Sequence, residues 1–211
     1  MPEISRLLVV GNAGLVDRAL IGLPLKVDGG TLTLGHLSNL SREKGIAEVV
    51  DLAAALHRTG RRLRLVVGGP VMDTEARVHL DRAAKELGQL FEYRGPLVGQ
   101  EKFDFFEEIT HFVFPSRYVH EAVPLVLYEA MAAGAVCVAT RQGSIPEQLE
   151  RCPSLLASNA DSFVEETLPV LVAASVSTEV SRESRQAFLR ALADSERQLD
   201  DLVTLLAGRL D

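Results

Sequence analysis

The chain has 211 residues, of which 47% are hydrophobic and 24% charged, so we expect one or two globular domains rather than a disordered chain. Its net charge is −7 and it contains no basic block, which argues against nucleic acid or an anionic membrane as a partner. Aromatic residues make up only 5%, so a stacking platform for single-stranded nucleic acid is not expected either.

The sequence predicts neither a transmembrane segment nor a secretion signal. The longest apolar run, 130–139, is about half the length that a bilayer span requires. The N-terminus carries Glu3 and no extended apolar stretch of the kind that a signal peptide contains. Cys137 and Cys152 lack metal-ligand spacing, and Cys137 lies in an apolar run typical of a core strand. We therefore expect a cytoplasmic protein.

Short β-branched segments alternate with longer amphipathic segments along most of the chain. This alternation predicts βαβ units, and therefore an α/β domain with a mostly parallel sheet flanked by helices. The predicted strands are apolar throughout, as expected where helices cover both faces of a sheet. In chain order we predict strands (β) and helices (α) at 6–11 (β), 31–37 (β), 46–59 (α), 63–69 (β), 73–87 (α), 90–93 (β), 102–109 (α), 112–114 (β), 125–133 (α), 136–139 (β) and 153–156 (β).

The sequence from Asp161 onward has a helical pattern, and an apolar stripe runs along its last part. The stripe has two interpretations: the helix packs on the same domain, or it docks against the surface of a partner that the chain lacks. The residues of the stripe are Phe188, Leu192, Leu199, Leu202, Val203, Leu206 and Leu210.

Ligands of open parallel sheets bind beyond the carboxyl ends of the strands, so candidate site residues are sought in the loops there. The loop after the strand at 31–37 carries Lys44, directly before Gly45 and a predicted helix. A cation beside a glycine and a helix N-terminus suits an anion, whereas the alternative is a solvated loop lysine. The turn at 68–70 could admit a ligand close to the backbone or be a plain turn.

The segment 115–134 contains two glutamates, Glu121 and Glu129, separated by seven residues. Pro124 fits the first turn of a helix, which places Glu129 about one and a half turns into that helix. The backbone N–H groups of Val123 and Leu125 are then expected to face the same crevice. Carboxylates accept hydrogen bonds from vicinal diols, and a helix N-terminus balances phosphate charge. The pattern fits a ligand with hydroxyl groups and a diphosphate, and two ordinary surface glutamates are the alternative.

Glu121 and the segment 129–134 resemble the signature of family 4 retaining glycosyltransferases, which is a Glu, seven residues, and a second Glu followed by Ala-Met-Ala-x-Gly. On this basis the chain is identified as a member of the glycosyl transferases group 1, which have the GT-B fold. Further segments resemble the family's motifs in the same order, and together they cover about 31–149. They are 38–45 (its Lys-Gly loop), 66–69 (its Val-Gly-Gly strand end), 91–95 (its strand into a base-contacting turn) and 143–147 (the loop after the next strand).

The resemblance implies a donor site for a nucleoside-diphosphate sugar, with no metal and no cofactor. By position, Glu129 would hold the ribose and Glu121 the transferred sugar, while Lys44 would neutralise the diphosphate leaving group. Glu121 and Lys44 are therefore the implied catalytic residues. The implied donor-binding set adds Asn39, Gly95, Pro96, Leu97, Val123, Pro124 and Leu125, of which 95–97 would lie near the base.

The sequence departs from the family's pattern at several positions. The Arg that usually partners the Lys falls at Asn39, and Arg42 is a weaker candidate for the missing charge. The usual Gly-Phe-Gly after the first Glu is replaced at 122–124 by Ala-Val-Pro, so the backbone of the sugar pocket is expected to differ. His36 is interpreted as structural, and His120 either as a loop residue or as a pocket residue beside Glu121.

GT-B enzymes have two Rossmann-like domains, the first of which binds the acceptor. Here the donor pattern begins near residue 31, and 9–13 resembles the segment that leads into the second domain. The resemblance therefore implies a single Rossmann-like nucleotide-sugar-binding domain at 31–160, the C-terminal half of a GT-B fold. It implies a connecting segment at 1–30 and C-terminal helices packed on the domain at 161–211. The acceptor-binding N-terminal domain would be absent from this chain.

From these observations we expect the donor-binding half of a retaining glycosyltransferase, inactive as an isolated chain. The alternative is a non-catalytic nucleotide-sugar-binding or interaction module that has kept the fold. A Rossmann dehydrogenase is not expected, because no Gly-x-Gly-x-x-Gly follows the first predicted strand.

Overall fold

The computed structural model describes residues 9–27 and 29–207. Within this part of the chain, six parallel strands form one sheet in the order β3-β2-β1-β4-β5-β6. The predicted α/β class and parallel sheet are confirmed. The strands are β1 (Leu32–Leu37), β2 (Leu63–Gly68), β3 (Phe91–Tyr93), β4 (His111–Phe114), β5 (Val136–Thr140) and β6 (Ser154–Ala157).

Helices connect the strands, and their ends carry local signals. The Asp73 side chain accepts a hydrogen bond of 2.7 Å from the backbone N–H of Ala76 and so caps the helix that follows β2. A four-residue helix after β5 was not predicted from the sequence. The helices are α1 (Ile46–Arg58), α2 (Thr74–Leu87), α3 (Gln100–Glu108), α4 (Leu125–Ala132), α5 (Ile145–Gln148), α6 (Phe163–Ala173) and α7 (Thr178–Ala207).

The sheet is covered by apolar residues on both faces. Phe112 and Phe114 of β4 pack into a cluster with α3, α4 and α7, whereas Val113 between them packs into a cluster with α1, α2 and α6. All three side chains are almost fully buried. Alternate residues of one strand therefore feed two separate cores, which explains why the strand sequences are apolar throughout.

β1 and β4 lie side by side in the middle of the sheet, and we call the boundary between them the seam. β2 and β3 lie on the β1 side and β5 and β6 on the β4 side, so the strand order reverses at this boundary. The register there has two pairs, Leu34 with His111 and Gly35 with Phe112. A Cβ at Gly35 would lie 2.5 Å from Ile109 Cγ2, so glycine lets the end of α3 approach the strand. Such a reversal of strand order opens a crevice at the carboxyl ends, where ligands of this architecture bind.

The segment before β1 is anchored on the sheet domain. Ala13, Val16 and Leu20 are buried in the cluster that contains α4 and α7. The buried Lys26 donates from Nζ to the carbonyl of Phe106 at 2.6 Å and to that of Glu107 at 2.7 Å, and burial lowers its pKa to about 8. Of the strand predicted at 6–11, residues 6–8 lie outside the described residues, and 9–11 do not form a strand.

Helix α7 packs on α4. Phe188 and Leu192 of the predicted apolar stripe are buried, whereas Leu199, Val203 and Leu206 are 51%, 58% and 53% exposed. Leu210, the last residue of the stripe, lies outside the described residues. The stripe therefore packs on the domain at one end and is uncovered at the other. The domain boundaries proposed from the sequence stay a prediction.

Both cysteines are free and buried in the cluster beneath α7. Cys137 lies on β5, and hydrogen bonding with Cys152, together with burial, raises the pKa of the Cys137 thiol. Ser184 of α7 lies 3.5 Å from Cys152 Sγ and donates to the carbonyl of Ala135 at 2.7 Å. The expectation of Cys137 as a small core residue is confirmed.

Candidate functional site

A cavity of about 700 Å³ opens at the carboxyl ends of β1 and β4. Loops that follow β1, β2, β3 and β4 form its walls, together with α3 and the start of α4. We call it the switch-point cavity. Its lining residues are Leu37, Ser38, Asn39, Lys44, Gly69, Pro70, Pro96, Leu97, Val98, Lys102, Phe114, Glu121, Pro124, Leu125, Val126 and Glu129.

Lys44 reaches the cavity from a 3-10 turn between β1 and α1. The Ser41 side chain accepts from the backbone N–H of Lys44 and so caps this turn. Gly45 follows with φ +79°, a left-handed conformation that favours glycine. A Cβ there would lie 2.2 Å from the carbonyl oxygen of Pro115. Glycine at this position therefore brings the lysine turn against the loop after β4.

Glu121 lies in the loop after β4, where two donors hold one of its carboxylate oxygens. Lys44 Nζ lies 2.6 Å from Glu121 Oε2, and Ser116 Oγ donates to the same oxygen at 2.7 Å. The Glu121 side chain is 8% exposed. In the part of the chain that the structure describes, Oε1 has no hydrogen-bond partner and is not sealed from the cavity. This oxygen is available to accept a hydrogen bond from a ligand.

Aromatic and cationic contacts position Lys44 and the loop that carries Glu121. Lys44 Nζ lies 4.9 Å from the centroid of the Tyr118 ring and 5.7 Å from that of Phe114. Arg117, which precedes Tyr118 in the sequence, donates from its backbone N–H to the carbonyl of Glu43 at 2.7 Å. Hydrogen bonds to Glu48 and Asp161 raise the pKa of the Arg117 guanidinium. Together these contacts tie the loop after β4 to the start of α1.

The backbone of Glu121 is supported from behind by the loop after β5. Gly143 has φ +54°, and a Cβ there would lie 1.7 Å from the carbonyl oxygen of Glu121. No side chain fits between these two backbones. The loop at 143–147, identified from its sequence alone, thus contacts the site through its glycine.

Glu129 faces the cavity from α4 and is paired with a lysine that the sequence analysis did not single out. Lys102 Nζ on α3 lies 2.5 Å from Glu129 Oε1. Oε2 has no hydrogen-bond partner among the described residues and is not sealed off from solvent. Lys102 is one of only four lysines in the chain, a rarity that could have drawn attention to it as it did to Lys44.

The cavity brings together eight of the ten residues that the sequence analysis assigned to the site. Gly95 and Val123, both of which the structure describes, do not line it. The Gly95 carbonyl accepts from the backbone N–H of Gly69 at 2.7 Å, and the Val123 carbonyl accepts from Asn12 Nδ2 at 2.9 Å. Lys44 and Glu129 line the same cavity, as a shared donor site requires. The roles of these residues stay predictions.

The other residues discussed from the sequence lie around the cavity. Asn39 lines it, whereas the Arg42 guanidinium lies 3.8 Å from Glu75 and the residue is not part of the lining. His120 packs edge-on against Tyr118, also outside the lining.

His36 is a structural residue of β1, as expected. Its Nδ1–H donates to the Val113 carbonyl at 2.8 Å, so Nε2 accepts from Ser38 Oγ at 2.8 Å. Complete burial lowers the pKa of His36 to about 4, which keeps the ring neutral at pH 7. The neutral ring joins β1 to β4 directly beneath the cavity.

Two further findings concern the described residues only. No group of three or more His, Cys, Asp or Glu side chains is placed to hold a metal ion. None of the helices has the length and apolar character needed to cross a membrane.

Comparisons with known proteins relate this fold to one enzyme family. The family profile described as glycosyl transferases group 1 matches residues 31–173. No curated protein sequence matches the chain significantly. Among solved structures, sucrose-phosphate synthase from Thermosynechococcus elongatus superposes with a TM-score of 0.66 at 20% identity, over 96% of this chain and 53% of that one.

Two other solved structures show the same relationship. HepE from Anabaena, in complex with UDP and glucose, gives a TM-score of 0.61 at 16% identity, over 86% of this chain and 48% of that one. AviGT4, a glycosyltransferase involved in avilamycin A biosynthesis, gives a TM-score of 0.63 at 22% identity, over 99% of this chain and 60% of that one.

At these identities the likeness shows the fold, which is a Rossmann-like half of the GT-B architecture. The chain spans about half the length of the structures that it matches, between 48% and 60% for these three. The family profile covers more than half of the present chain. The chain therefore belongs to the glycosyl transferases group 1 family, as its ordered motifs indicated.

Proposed function

We propose that this chain is the donor-binding half of a retaining glycosyltransferase and that the switch-point cavity holds a nucleoside-diphosphate sugar. Glu121 accepts hydrogen bonds from the transferred sugar, and Glu129 accepts them from the ribose. Lys44 stabilises the diphosphate as it leaves. The segment 95–97 lies near the base.

The observation that carries this proposal is the pairing of Lys44 with Glu121 at 2.6 Å on the wall of a cavity large enough for such a ligand. The bond that breaks in glycosyl transfer joins the sugar to the diphosphate. A group that recognises the sugar and a group that stabilises the diphosphate must therefore be neighbours. The free Oε1 of Glu121 gives the sugar an acceptor while Oε2 remains on the lysine.

The charged side chains of the cavity cancel one another, so a bound diphosphate depends on individual hydrogen-bond donors. Its four charged side chains, Lys44, Lys102, Glu121 and Glu129, form two ion pairs and sum to zero. A diphosphate then depends on the remaining N–H donors of Lys44 and on the start of α4. Charge that develops on the leaving group is stabilised by fixed donors of this kind, and the proposed mechanism uses no metal.

An acceptor-binding domain is a further part of the proposal. The matched structures are about twice as long as this chain, and HepE was solved with UDP and glucose. A separate Rossmann-like domain that closes over the cavity would supply the acceptor and exclude water from the sugar.

The experiment is calorimetric titration of the chain with UDP, GDP and ADP and with UDP-glucose, GDP-mannose and ADP-glucose. We expect one base to be preferred, and we expect both its diphosphate and its sugar nucleotide to bind. Lys44→Met should weaken both ligands at least tenfold, because a charged hydrogen-bonding group is worth about 1.5–3 kcal/mol. Lys85→Met, an exposed lysine on α2, is the matched control and should bind as wild type does. No binding of any of the six compounds would contradict the proposal.

A further inference from the structure

Three consecutive residues of the loop after β4 contact the Lys44–Glu121 pair or lie between residues that do. Ser116 Oγ donates to Glu121 Oε2 at 2.7 Å. The centroid of the Tyr118 ring lies 4.9 Å from Lys44 Nζ. Arg117, between these two, is bonded to neither member of the pair, and its side chain reaches α1 and the loop after β6 instead. Where Arg117 is anchored, its two chain neighbours are anchored with it.

Arg117 is anchored, through its backbone and its side chain, on the segment that carries Lys44. Its backbone N–H donates to the carbonyl of Glu43 at 2.7 Å. Its guanidinium donates from both Nε and Nη2 to Glu48 Oε1 in the first turn of α1, and the Nε contact measures 2.9 Å. A further donor, Nη1, lies 2.7 Å from Asp161 Oδ1. The arginine therefore joins the loop after β4 to the start of α1 and to the loop after β6.

Strand pairing alone does not fix the distance between the two catalytic loops. The pairing of β1 with β4 ends at Gly35 and Phe112, and Lys44 and Glu121 lie beyond it in loops on opposite sides of the seam. A lysine side chain has many rotamers, and ordering them on binding lowers affinity. A link across the seam that orders the lysine turn beforehand therefore removes part of this loss.

The carboxylate of Glu48 is better explained by this link than by stability. Glu48 is 8% exposed, and among the described residues its buried Oε2 has no hydrogen-bond partner. A buried ion pair contributes little net stability, and hydrocarbon side chains of similar volume are often as stable or more so. An ion pair differs from such hydrocarbons in its defined direction, because two N–H donors of Arg117 converge on one oxygen.

We propose that the Arg117–Glu48 ion pair positions the donor site, because it fixes Lys44 for the diphosphate before the ligand binds. Through the adjacent Ser116 the same pair holds Glu121 for the sugar. This inference rests on the proposed function of the cavity and assigns a role to two residues that do not line it. Arg117 and Glu48 are positioning residues, which act through the lysine and the glutamate that meet the ligand.

The test uses two variants that separate positioning from stability. Arg117→Met leaves Glu48 buried without its partner, so the melting temperature should fall. Adding Glu48→Met removes that unpaired charge, so the melting temperature should recover. Affinity for the diphosphate should not recover with it, because a hydrocarbon contact lacks the direction of the ion pair. The probe is whichever of UDP, GDP and ADP binds the wild type most tightly, titrated beside its nucleoside, which lacks the phosphates.

We expect both variants to weaken the diphosphate about fivefold, as the ordering of one side chain on binding does, with the nucleoside unaffected. In a Lys44→Met background, Arg117→Met should cause no further loss, because the arginine acts through that lysine. The matched control is Arg82→Met, which should bind the diphosphate as wild type does. Arg82 and Arg117 have the same side-chain exposure of 34%, and Arg82 pairs with Asp51 of α1 at 2.7 Å, outside the cavity lining.

Several outcomes would overturn the inference and leave the proposed function intact. One is diphosphate affinity that recovers together with the melting temperature in the double variant, since the ion pair would then be a stabilising contact only. Unchanged affinity in Arg117→Met, an equal loss in Arg82→Met, or additive losses from Arg117→Met and Lys44→Met would overturn it as well. Equal losses for nucleoside and diphosphate would do the same, because they would report general loosening of the site. A wild type that binds none of the three diphosphates would refute both proposals.

Discussion

Lys102 Nζ lies 2.5 Å from Glu129 Oε1, and among the described residues Oε2 of this carboxylate has no hydrogen-bond partner. From the sequence, Glu129 was expected to hold the ribose, whose vicinal hydroxyls a carboxylate can accept from. In the folded chain one oxygen is shared with a lysine on the neighbouring helix. A ribose bound here therefore meets a carboxylate and an ammonium group together, and both are expected to affect nucleoside affinity.

The two glutamates should differ in which ligand they affect. Glu129→Gln should weaken the nucleoside diphosphate and the sugar nucleotide alike, by about 1.5–3 kcal/mol, because it removes the charge that faces both Lys102 and the ribose. Glu121→Gln should weaken only the sugar nucleotide. It also frees Lys44, so affinity for the diphosphate should hold or rise. Calorimetry with both ligands on both variants decides between these assignments, and equal losses for Glu121→Gln would refute its role at the sugar.

Lys102→Met should weaken nucleosides and nucleoside diphosphates to a similar extent. The lysine orients Glu129 before the ligand arrives, and without it the carboxylate has to be ordered on binding. For a partly exposed ion pair we expect about 0.5–1 kcal/mol, a two- to fivefold loss. The matched control is again Lys85→Met. Tighter nucleoside binding by Lys102→Met would show that the lysine competes with the ribose instead.

Gly143→Ala should abolish donor binding, whereas Gly88→Ala should leave it intact. Both glycines have φ +54°, so an alanine is strained at either position by about 1–3 kcal/mol. Only at Gly143 would the new Cβ also lie 1.7 Å from the carbonyl of Glu121, while nothing lies within 4 Å of a Cβ at Gly88. Thermal melts and donor titrations of the two variants separate strain from displacement of the loop. Similar donor affinities in both would contradict the proposed contact.

Acid should destabilise the chain through His36. Its pKa is lowered from 6.5 to about 4 in the fold, mainly by burial, so between these values the unfolded chain binds a proton that the folded chain excludes. The contribution of the neutral ring is complete above about pH 6.5 and is lost as pH falls toward 4, at up to about 1.4 kcal/mol per pH unit. Urea unfolding from pH 7 to pH 4.5 measures it. His36→Gln should show a shallower slope, and identical slopes would exclude His36 as the cause.

The isolated chain should bind its donor and transfer nothing. One Rossmann-like half leaves the bound sugar exposed to water and provides no acceptor. Transfer is measured with radiolabelled sugar nucleotides and mixed glycan acceptors, and binding is verified in the same samples. Robust transfer by the purified chain alone would refute the view that a second domain is required.

Positions could be predicted from the sequence where the fold class or a local motif determines them. Lys44, Glu121 and Glu129 could be placed together because parallel strands carry their loops to one edge of the sheet. Helix ends with a capping residue, such as Asp73 before α2, were predicted to within a few residues.

Features that depend on contacts between distant segments could not be predicted in this way. Lys102 begins a predicted helix in sequence, and only the packing of α3 beside α4 gives it Glu129 as a partner. Asn12 and Gln148 are ordinary polar residues until the fold brings both to the loop at 122–124. The uncovered end of α7 likewise depends on where the domain surface stops, which no local pattern contains.

The seam between β1 and β4 has a mechanical consequence. The pairing there registers over two residue pairs, whereas β1 and β2 register over six. Lys44 belongs to one side of the seam, and Glu121 and Glu129 belong to the other. A donor that contacts all three would bridge the two half-sheets at the strand pairing with the fewest residue pairs. Occupancy of the cavity should then slow amide hydrogen exchange in β1 and β4 more than in the outer strands, because the bound ligand would hold the two halves of the sheet together.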